Sequence, residues 1–275
     1  MKMQRRLPAF KKPPLVETAI SVQFKTLAGF KNAHLGIFWQ SIRSEFPKIA
    51  DAAPIEEQTE PFGDQAARRV RLPSFRVVAG DAVTRLQMSS ENGSAMLQLQ
   101  NGRLVFNWRR IENGEYPRWH TVLAGFKKGL EQLKTMLASQ NLPELSPNQW
   151  EVTYVNQLAK GRDWNNQLDW PKLVPGVIGT LGAISTGKVE TATCNMAVLL
   201  PNNQGRLHVN LVHGFTGPEP NAPEVAVLQF TARGGIDPQT SEQALVGVEI
   251  GHAAIVQTFC DVTGSEAHLR WEREQ

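Results

Sequence analysis

Two Asn-Gly dipeptides lie nine residues apart in this 275-residue chain, and they constrain its fold more than any other feature. Asn92-Gly93 and Asn101-Gly102 each separate two segments in which apolar and polar residues alternate. Asn-Gly readily takes the positive φ angles of a two-residue hairpin turn. The sequence therefore predicts an antiparallel meander, with strands near 83–90, 94–100 and 103–111 and a further strand near 68–79 before them.

The remaining segments predict further strands and several helices. Residues 117–140 and 240–261 carry apolar side chains at helical spacing, so each predicts a long helix. Shorter helices are predicted from Asn32 to Phe46 and near 169–174. Residues 51–64 hold five acidic residues and two prolines, which predicts a loop. Alternation of apolar and polar residues predicts the other strands, at 16–24, 150–158, 189–200, 206–215 and 224–232.

Both halves of the chain follow the same order of elements: a strand, a helix or loop, several antiparallel strands, and a long helix. Runs of strands followed by helices indicate the α+β class. We therefore predict two pseudo-repeated halves in one curved sheet, in an architecture like that of TATA-binding protein or of helix-grip proteins. The predicted divisions are an extended basic arm at 1–15, an N-terminal half at 16–145 and a C-terminal half at 146–275.

The net charge of +3 comes from the arm. Residues 1–12 hold five of the 29 basic residues and no acidic one, which leaves 24 basic against 26 acidic residues in the rest of the chain. Such an arm can contact phosphate, but a solvated N-terminus is the simpler interpretation. On that interpretation, deleting residues 1–10 leaves the melting temperature nearly unchanged.

The sequence gives no sign of a cofactor or a metal, and we expect neither. Residues 182–189 resemble a phosphate-binding loop, but Val189 follows Lys188 where that motif needs Ser or Thr to hold magnesium. The six histidines form no HxH, HExxH or HxxxH pair. His208 and His213 lie in one predicted strand at an odd separation, so we expect them on opposite faces. His120, beside Trp119, is a surface histidine or a general acid–base.

The expected location is the cytoplasm. Cys194 and Cys260 are the only cysteines, which is typical of reduced, buried thiols rather than of a disulfide framework. The N-terminus lacks an apolar segment, so no signal peptide is expected. The longest uncharged apolar run, residues 173–187, is short and contains Pro175 and four glycines. No membrane partner is therefore expected.

Arginines on predicted strands, together with one tryptophan, form the candidate binding surface. Guanidinium groups bind phosphate and stack on bases, so nucleic acid or a phosphorylated ligand is one candidate partner, and an acidic protein is another. A third interpretation is that these arginines pair with the acidic loop at 51–64. No residue is assigned a catalytic role, and the candidate binding residues are Arg68, Arg69, Arg71, Arg76, Arg103, Trp108, Arg109 and Arg110.

The opening of the chain resembles a signature found in a family of bacterial proteins. Lys12-Pro13-Pro14, Glu17 and Val22-Gln23-Phe24 are similar to the first motif of this sporadically distributed, uncharacterised family, which has about the same length. Its further landmarks are similar to Tyr116 with Trp119, Tyr154-Val155-Asn156, and Phe259 with Thr263 and Trp271. The resemblance implies no catalytic residues. The patchy distribution implies a context like that of defence or toxin–antitoxin genes.

Two functional hypotheses follow. The first is a non-enzymatic interaction protein that binds a protein or nucleic acid, for which the resemblance implies a bacterial defence or toxin–antitoxin-like system. The alternative is a helix-grip protein that binds a small ligand, or an enzyme that uses the same cavity, beneath helix 117–140. A closed apolar core under that helix favours the first hypothesis. A cavity of several hundred Å³ with converging polar groups favours the second.

Overall fold

The computed structural model describes residues 6–60, 84–112, 114–179, 189–219 and 221–274. The chain in these ranges is an α+β fold with one antiparallel sheet of nine strands and five α-helices. In chain order the elements are β1 Leu15–Phe24, α1 Asn32–Ile42, β2 Lys48–Ala52, β3 Arg85–Ser89, β4 Ala95–Gln100, β5 Arg103–Arg109, α2 Trp119–Ser139, β6 Pro147–Ala159, α3 Trp170–Leu173, β7 Thr193–Leu199, β8 Arg206–Phe215, β9 Glu224–Gly235, α4 Ser241–Val262 and α5 Ser265–Arg270.

The α+β class, the antiparallel meander and the long helices are confirmed. The Asn-Gly turns join β3 to β4 and β4 to β5, and Gly93 and Gly102 take positive φ angles there. The loop predicted at 51–64 is wrong at its start, because β2 extends to Ala52. Among the described residues this strand pairs with β3 alone, at one end of the sheet, and most of it is exposed, so its sequence lacks the alternation of a half-buried strand. The strand predicted at 68–79 lies outside the described residues, as do residues 180–188.

The strands follow the order β2-β3-β4-β5-β1-β6-β9-β8-β7 across the sheet, and every neighbouring pair is antiparallel. The junction of the two halves is the pair β1 and β6, in which Ile20 lies opposite Val152. On its other side Ile20 lies opposite Phe106 of β5. The N-terminal half therefore joins the C-terminal half through continuous hydrogen bonding between strands.

The two faces of the sheet differ in chemistry because successive residues of a strand point to opposite faces. On one face α2 packs against β5 and α4 packs against β6 and β9. This helical face carries the apolar core, including one row across five strands: Phe106, Ile20, Val152, Ala232 and Leu207. The opposite face carries glutamine, asparagine, arginine and histidine. Residues 53–60, here named the strap, cross this polar face and bond to it.

Each long helix approaches the sheet through two glycines one turn apart. A Cβ atom at Gly125 or Gly129 of α2 would overlap Phe106 or Leu97, respectively. A Cβ atom at Gly247 of α4 would overlap the indole of Trp150, and one at Gly251 would lie 2.6 Å from its Cζ3. The absence of side chains at these positions lets both helices lie directly against large buried residues of the sheet.

Helix α4 is also long and apolar enough, by length and composition, to cross a membrane. Because α4 contains charged residues, it does not stand out in the sequence as an uncharged apolar run. In the structure the apolar residues of one side of α4, among them Val248, Ile255 and Phe259, are buried against the sheet.

The glycine contacts predict opposite effects for two similar substitutions. Gly247→Ala should lower the free energy of unfolding by about 1–3 kcal/mol, because the new methyl group is forced into Trp150. Gly36→Ala in α1 is the matched control, since Gly36 is exposed and a Cβ there has no atom within 4 Å. It should raise stability by up to about 1 kcal/mol through helix propensity. Urea unfolding followed by circular dichroism measures both, and equal effects would contradict the close packing of α4.

Candidate functional site

A cavity of about 380 Å³ lies on the helical face, where the start of α2 and the middle of α4 meet the central strands β1 and β6. The helices contribute Trp119 and His120 from α2 and His252, Ile255, Val256 and Phe259 from α4. The strands contribute Leu15, Tyr154 and Asn156, and residues 7–10 of the arm form a further wall. Both halves of the chain are therefore needed to form this cavity.

A chain of hydrogen-bonding groups enters this apolar cavity. The hydroxyls of Tyr116 and Tyr154 lie 3.1 Å apart, and the Tyr154 hydroxyl lies 2.9 Å from Nδ1 of His252. These are the only two tyrosines of the protein. A hydroxyl both donates and accepts, and a neutral imidazole has one donor and one acceptor. This series of three side chains can thus present a donor at Tyr116 and an acceptor at His252, or the reverse.

Aromatic stacking holds the histidine in place. The ring of Trp119 is stacked on that of His252, with centroids 4.1 Å apart and planes only 6° from parallel. The indole Nε1 of Trp119 donates a 2.9 Å hydrogen bond to the carboxylate of Glu249, also on α4. The first residue of α2 is therefore attached to α4 by a stacked ring and a charge-assisted hydrogen bond.

Burial keeps the three hydrogen-bonded side chains uncharged at neutral pH. It lowers the pKa of His252 from 6.5 to about 4, because the imidazolium would lose its hydration. Burial also raises the pKa of Tyr116, and it raises that of Tyr154 well above its usual value of 10. At neutral pH the three groups are thus a neutral imidazole and two neutral phenols, suited to hydrogen bonding with an uncharged part of a ligand.

The arm closes one side of the cavity and is not free, in contrast to the expectation from sequence. Phe10 is 6% exposed and packs edge-on against Phe259, with centroids 5.4 Å apart. The backbone N–H groups of Lys11 and Lys12 donate to the carbonyls of Glu272 and Trp271. Arg118 donates a 3.0 Å hydrogen bond to the carbonyl of Phe10. The arm lacks periodicity because it docks through one aromatic residue and backbone pairing.

Arg118 also has an unusual backbone. Its φ of 73° and ψ of 157° fall in a region that is favourable essentially for glycine alone. Such a conformation costs about 1–3 kcal/mol and persists where surrounding contacts impose it, often at a functional site. Arg118 directly precedes α2, so this strained residue directs the chain into the helix that carries Trp119.

Of the described arginines predicted to bind a partner, Arg103 lies on the opposite face of the sheet from Trp108, whereas Arg109 lines one pocket with it. Trp108 is buried on the helical face and packs against Tyr116. Arg103 is 4% exposed on the polar face, where burial lowers its pKa and its guanidinium donates to Gln23 Oε1 at 2.7 Å. Arg109 is half-exposed and lies 3.5 Å from the carboxylate of Glu17, while Arg110 donates to the carbonyl of Pro13.

A binding role for these residues stays a prediction. Arg68, Arg69, Arg71 and Arg76 lie outside the described residues. The acidic loop does pair with arginines, as one interpretation held, but Glu60 pairs with Arg206 and Arg233 of the C-terminal half. In the part of the chain that the structure describes, no three His, Cys, Asp or Glu residues are grouped as metal ligands would be.

His252 is a site residue that the sequence does not indicate. It forms no metal-ligand spacing with another histidine, and it lies 98 residues from Tyr154. His208 and His213 do lie on opposite faces of β8, as predicted: His208 contacts Glu60, and His213 contacts Glu224. The signal that could have indicated the cavity is the landmark set Tyr116, Trp119, Tyr154, Asn156 and Phe259, all of which line it.

No model of a known protein family matches the chain, and a search of curated proteins also finds no match. The resemblance to the sporadically distributed bacterial family therefore stays a prediction.

The docked arm predicts that Phe10 stabilises the protein. Phe10→Ala should lower the free energy of unfolding by about 3 kcal/mol, because it leaves a void beside Phe259 and Trp271. Lys11→Ala removes only an exposed side chain and should change stability by less than about 0.5 kcal/mol. Thermal and urea unfolding compare the two, and a Phe10 variant as stable as the Lys11 variant would show that the arm does not dock.

The neutral state of His252 predicts a pH dependence of stability. The folded pKa of about 4 lies below the unfolded value of 6.5, so between these pH values the unfolded chain binds more protons. Stability should therefore fall as the pH is lowered from 6.5 to 4, by about 3 kcal/mol from this residue. His252→Phe keeps a ring against Trp119 and should lose that part of the dependence, whereas His120→Gln, at an exposed position, should keep it. Urea unfolding at pH 7 and 4.5 measures the free energy of unfolding of each protein. The same loss of stability between these pH values in the wild type and both variants would contradict a neutral His252.

Proposed function

We propose that this protein binds a small, mostly apolar molecule in the cavity between α2, α4 and the central strands. The observation that carries the proposal is the convergence of Tyr116, Tyr154 and His252 in a mostly apolar cavity. Ligand sites are typically apolar clefts of about 300–1,000 Å³ with a few polar groups that fix orientation and with titratable residues of shifted pKa. The volume of the cavity and its converging polar groups support the ligand hypothesis over that of a closed core.

The ligand that fits is aromatic or alicyclic and carries one hydrogen-bonding group. Trp119, Phe10 and Phe259 offer ring surfaces, while Tyr116, Tyr154 and His252 offer the polar contact. Because the hydrogen bonds among these three side chains can run in either direction, they can bind a carbonyl, a hydroxyl or an amide of the ligand. An ammonium group is disfavoured, because none of the three groups carries a negative charge at neutral pH and the guanidinium of Arg118 also lines the cavity.

The proposed architecture is two pseudo-repeated halves of TATA-binding-protein-like or helix-grip-like type. Three features support it. Each half begins with a central strand, β1 or β6, and ends with a long helix, α2 or α4. Outward from the centre, β5, β4 and β3 in one half correspond to β9, β8 and β7 in the other. Each long helix also carries its pair of glycines against the sheet.

The biological setting is proposed from the cysteines and from the opening motif of the sequence. A cytoplasmic location is supported by Cys194 and Cys260, which are both free thiols. A context of bacterial defence or a toxin–antitoxin-like system rests on the resemblance of the opening motif alone. The interaction hypothesis is favoured by a different observation, made on the polar face of the sheet.

A fluorescent apolar probe tests the ligand proposal. N-phenyl-1-naphthylamine should bind the wild-type protein saturably, with one site per chain. Val256→Trp fills the cavity from α4 and should weaken this binding at least tenfold, whereas Val246→Trp adds the same side chain at a half-exposed position of α4 and should not. Tyr154→Phe should leave this apolar probe bound but weaken probes that carry a hydroxyl or an amide. Equal binding by the Val256 and Val246 variants would refute the proposal.

A further inference from the structure

The strap crosses the polar face of the sheet in an extended conformation. Ala53 accepts a hydrogen bond from Arg85 of β3, and Glu60 reaches Arg206 and His208 of β8. The backbone of Ile55 bonds to Gln100 of β4 and that of Glu60 bonds to Gln149 of β6, three strand spacings away, which is about 14 Å. Five extended residues span about 17 Å, enough to cover this distance. The strap thus runs across the strands rather than along them, and it forms no ladder with any of them.

Glutamine side chains of the sheet bind the backbone of the strap. The amide of Gln100 accepts from the N–H of Ile55 at 2.8 Å and donates to its carbonyl at 2.9 Å. The amide of Gln23 makes the same two bonds with Gln58, each 3.0 Å long. Gln149 accepts from the N–H of Glu60 at 2.9 Å. Bonds of this kind recognise an extended peptide backbone and do not depend on its side chains.

The end of the strap at Glu60 lies among groups that bind a carboxylate. Glu60 is 9% exposed and contacts the guanidinium of Arg206, His208 Nε2 at 3.0 Å, and Arg233 at 4.0 Å. Although burial alone raises the pKa of Glu60, the hydrogen bonds from His208 and Arg206 hold it below its usual value. Arg103 and Arg233 also lie beside Glu151 of the sheet. In the described part of the chain, Arg103, Arg206 and Arg233 are thus grouped around Glu60 and Glu151.

Little apolar burial holds the strap in place. Pro54, Glu56, Glu57 and Thr59 are exposed, and Ile55 is only partly buried. Its attachment therefore depends on backbone hydrogen bonds and on two side chains, Glu60 and Gln58, whose amide oxygen accepts a hydrogen bond from Arg233. Another extended segment with a carboxylate at the position of Glu60 and an acceptor at that of Gln58 could make the same contacts.

We propose that the polar face is a recognition groove for an extended peptide segment of a partner protein that carries an acidic residue, and that the strap is its intramolecular occupant. The glutamines fix the backbone, and the cluster of Arg206, His208 and Arg233 selects the carboxylate. A partner segment binds when it displaces the strap. This proposal concerns the face opposite the aromatic cavity, so it does not depend on ligand binding there.

A peptide with the sequence of residues 53–60 tests the proposal. The acetylated, amidated and fluorescein-labelled octapeptide is titrated against full-length protein and followed by anisotropy. The protein variant Glu60→Gln loosens the strap and should bind the peptide at least tenfold more tightly than the wild type. Glu56→Gln is the matched control, because it removes an exposed carboxylate from the same strap. It should bind the peptide like the wild type. A peptide that carries the Glu60→Gln change should bind the Glu60→Gln protein at least tenfold more weakly than the unchanged peptide does.

Three results would overturn the proposal. The first is equal peptide binding by the Glu60→Gln and Glu56→Gln proteins. The second is binding of a mixed-sequence single-stranded oligonucleotide, but not of the peptide, by the Glu60→Gln protein, which would indicate a nucleic-acid surface. The third is unchanged hydrogen exchange at the amides of Ile55 and Gln58 of the wild type in excess peptide, which would show that the strap is not displaced. We expect the peptide to speed exchange at both amides. Because this experiment uses the wild type, it also tests the proposal if the variant does not fold.

Discussion

The pairing of β1 with β6 is the interaction on which the rest of the structure depends. Without it each half of the sheet would end in a long unpaired strand, and such edges promote association with other chains. The ladder from Leu15 to Phe24 pairs the first strand of one half with the first strand of the other. It thereby places α2 and α4 side by side on one face, and the aromatic cavity forms where they meet β1 and β6.

The same pairing creates a need for the strap. Residues of the central strands that point away from the helices include Gln23 of β1 and Gln149 of β6, which are 5% and 4% exposed. Buried amides without hydrogen-bond partners are costly. The strap backbone bonds to both polar groups of the Gln23 amide and to Oε1 of Gln149, and Glu60 brings an acidic group to an arginine-rich region. The polar face is therefore a buried polar layer whose partner groups come from a segment without regular secondary structure.

Local signals in the sequence predict the elements well. The Asn-Gly turns, the helical spacing in α2 and α4, and the alternation in β1 and β8 each depend on neighbouring residues. The docked arm was not predicted, because the interaction of Phe10 with Phe259 and Trp271 has no local pattern. Strand β2 was missed because an exposed edge strand lacks alternation. The glycine pairs were also missed, since a glycine within a helix normally weakens it and only the structure shows Trp150 beside Gly247.

The candidate sites could not be read from the sequence, because each one joins residues from both halves. Tyr116, Tyr154 and His252 meet only if the register of β1 and β6 is fixed, as do Gln58, Gln23 and Arg233 on the other face. A slip of one residue would turn Gln23 toward the helices and Val22 toward the strap, since the side chains of a strand alternate. The glycines of α2 and α4 oppose such a slip, because each fits one large side chain of the sheet. The packing that excludes a Cβ at Gly247 therefore also fixes the register on which both the cavity and the groove depend.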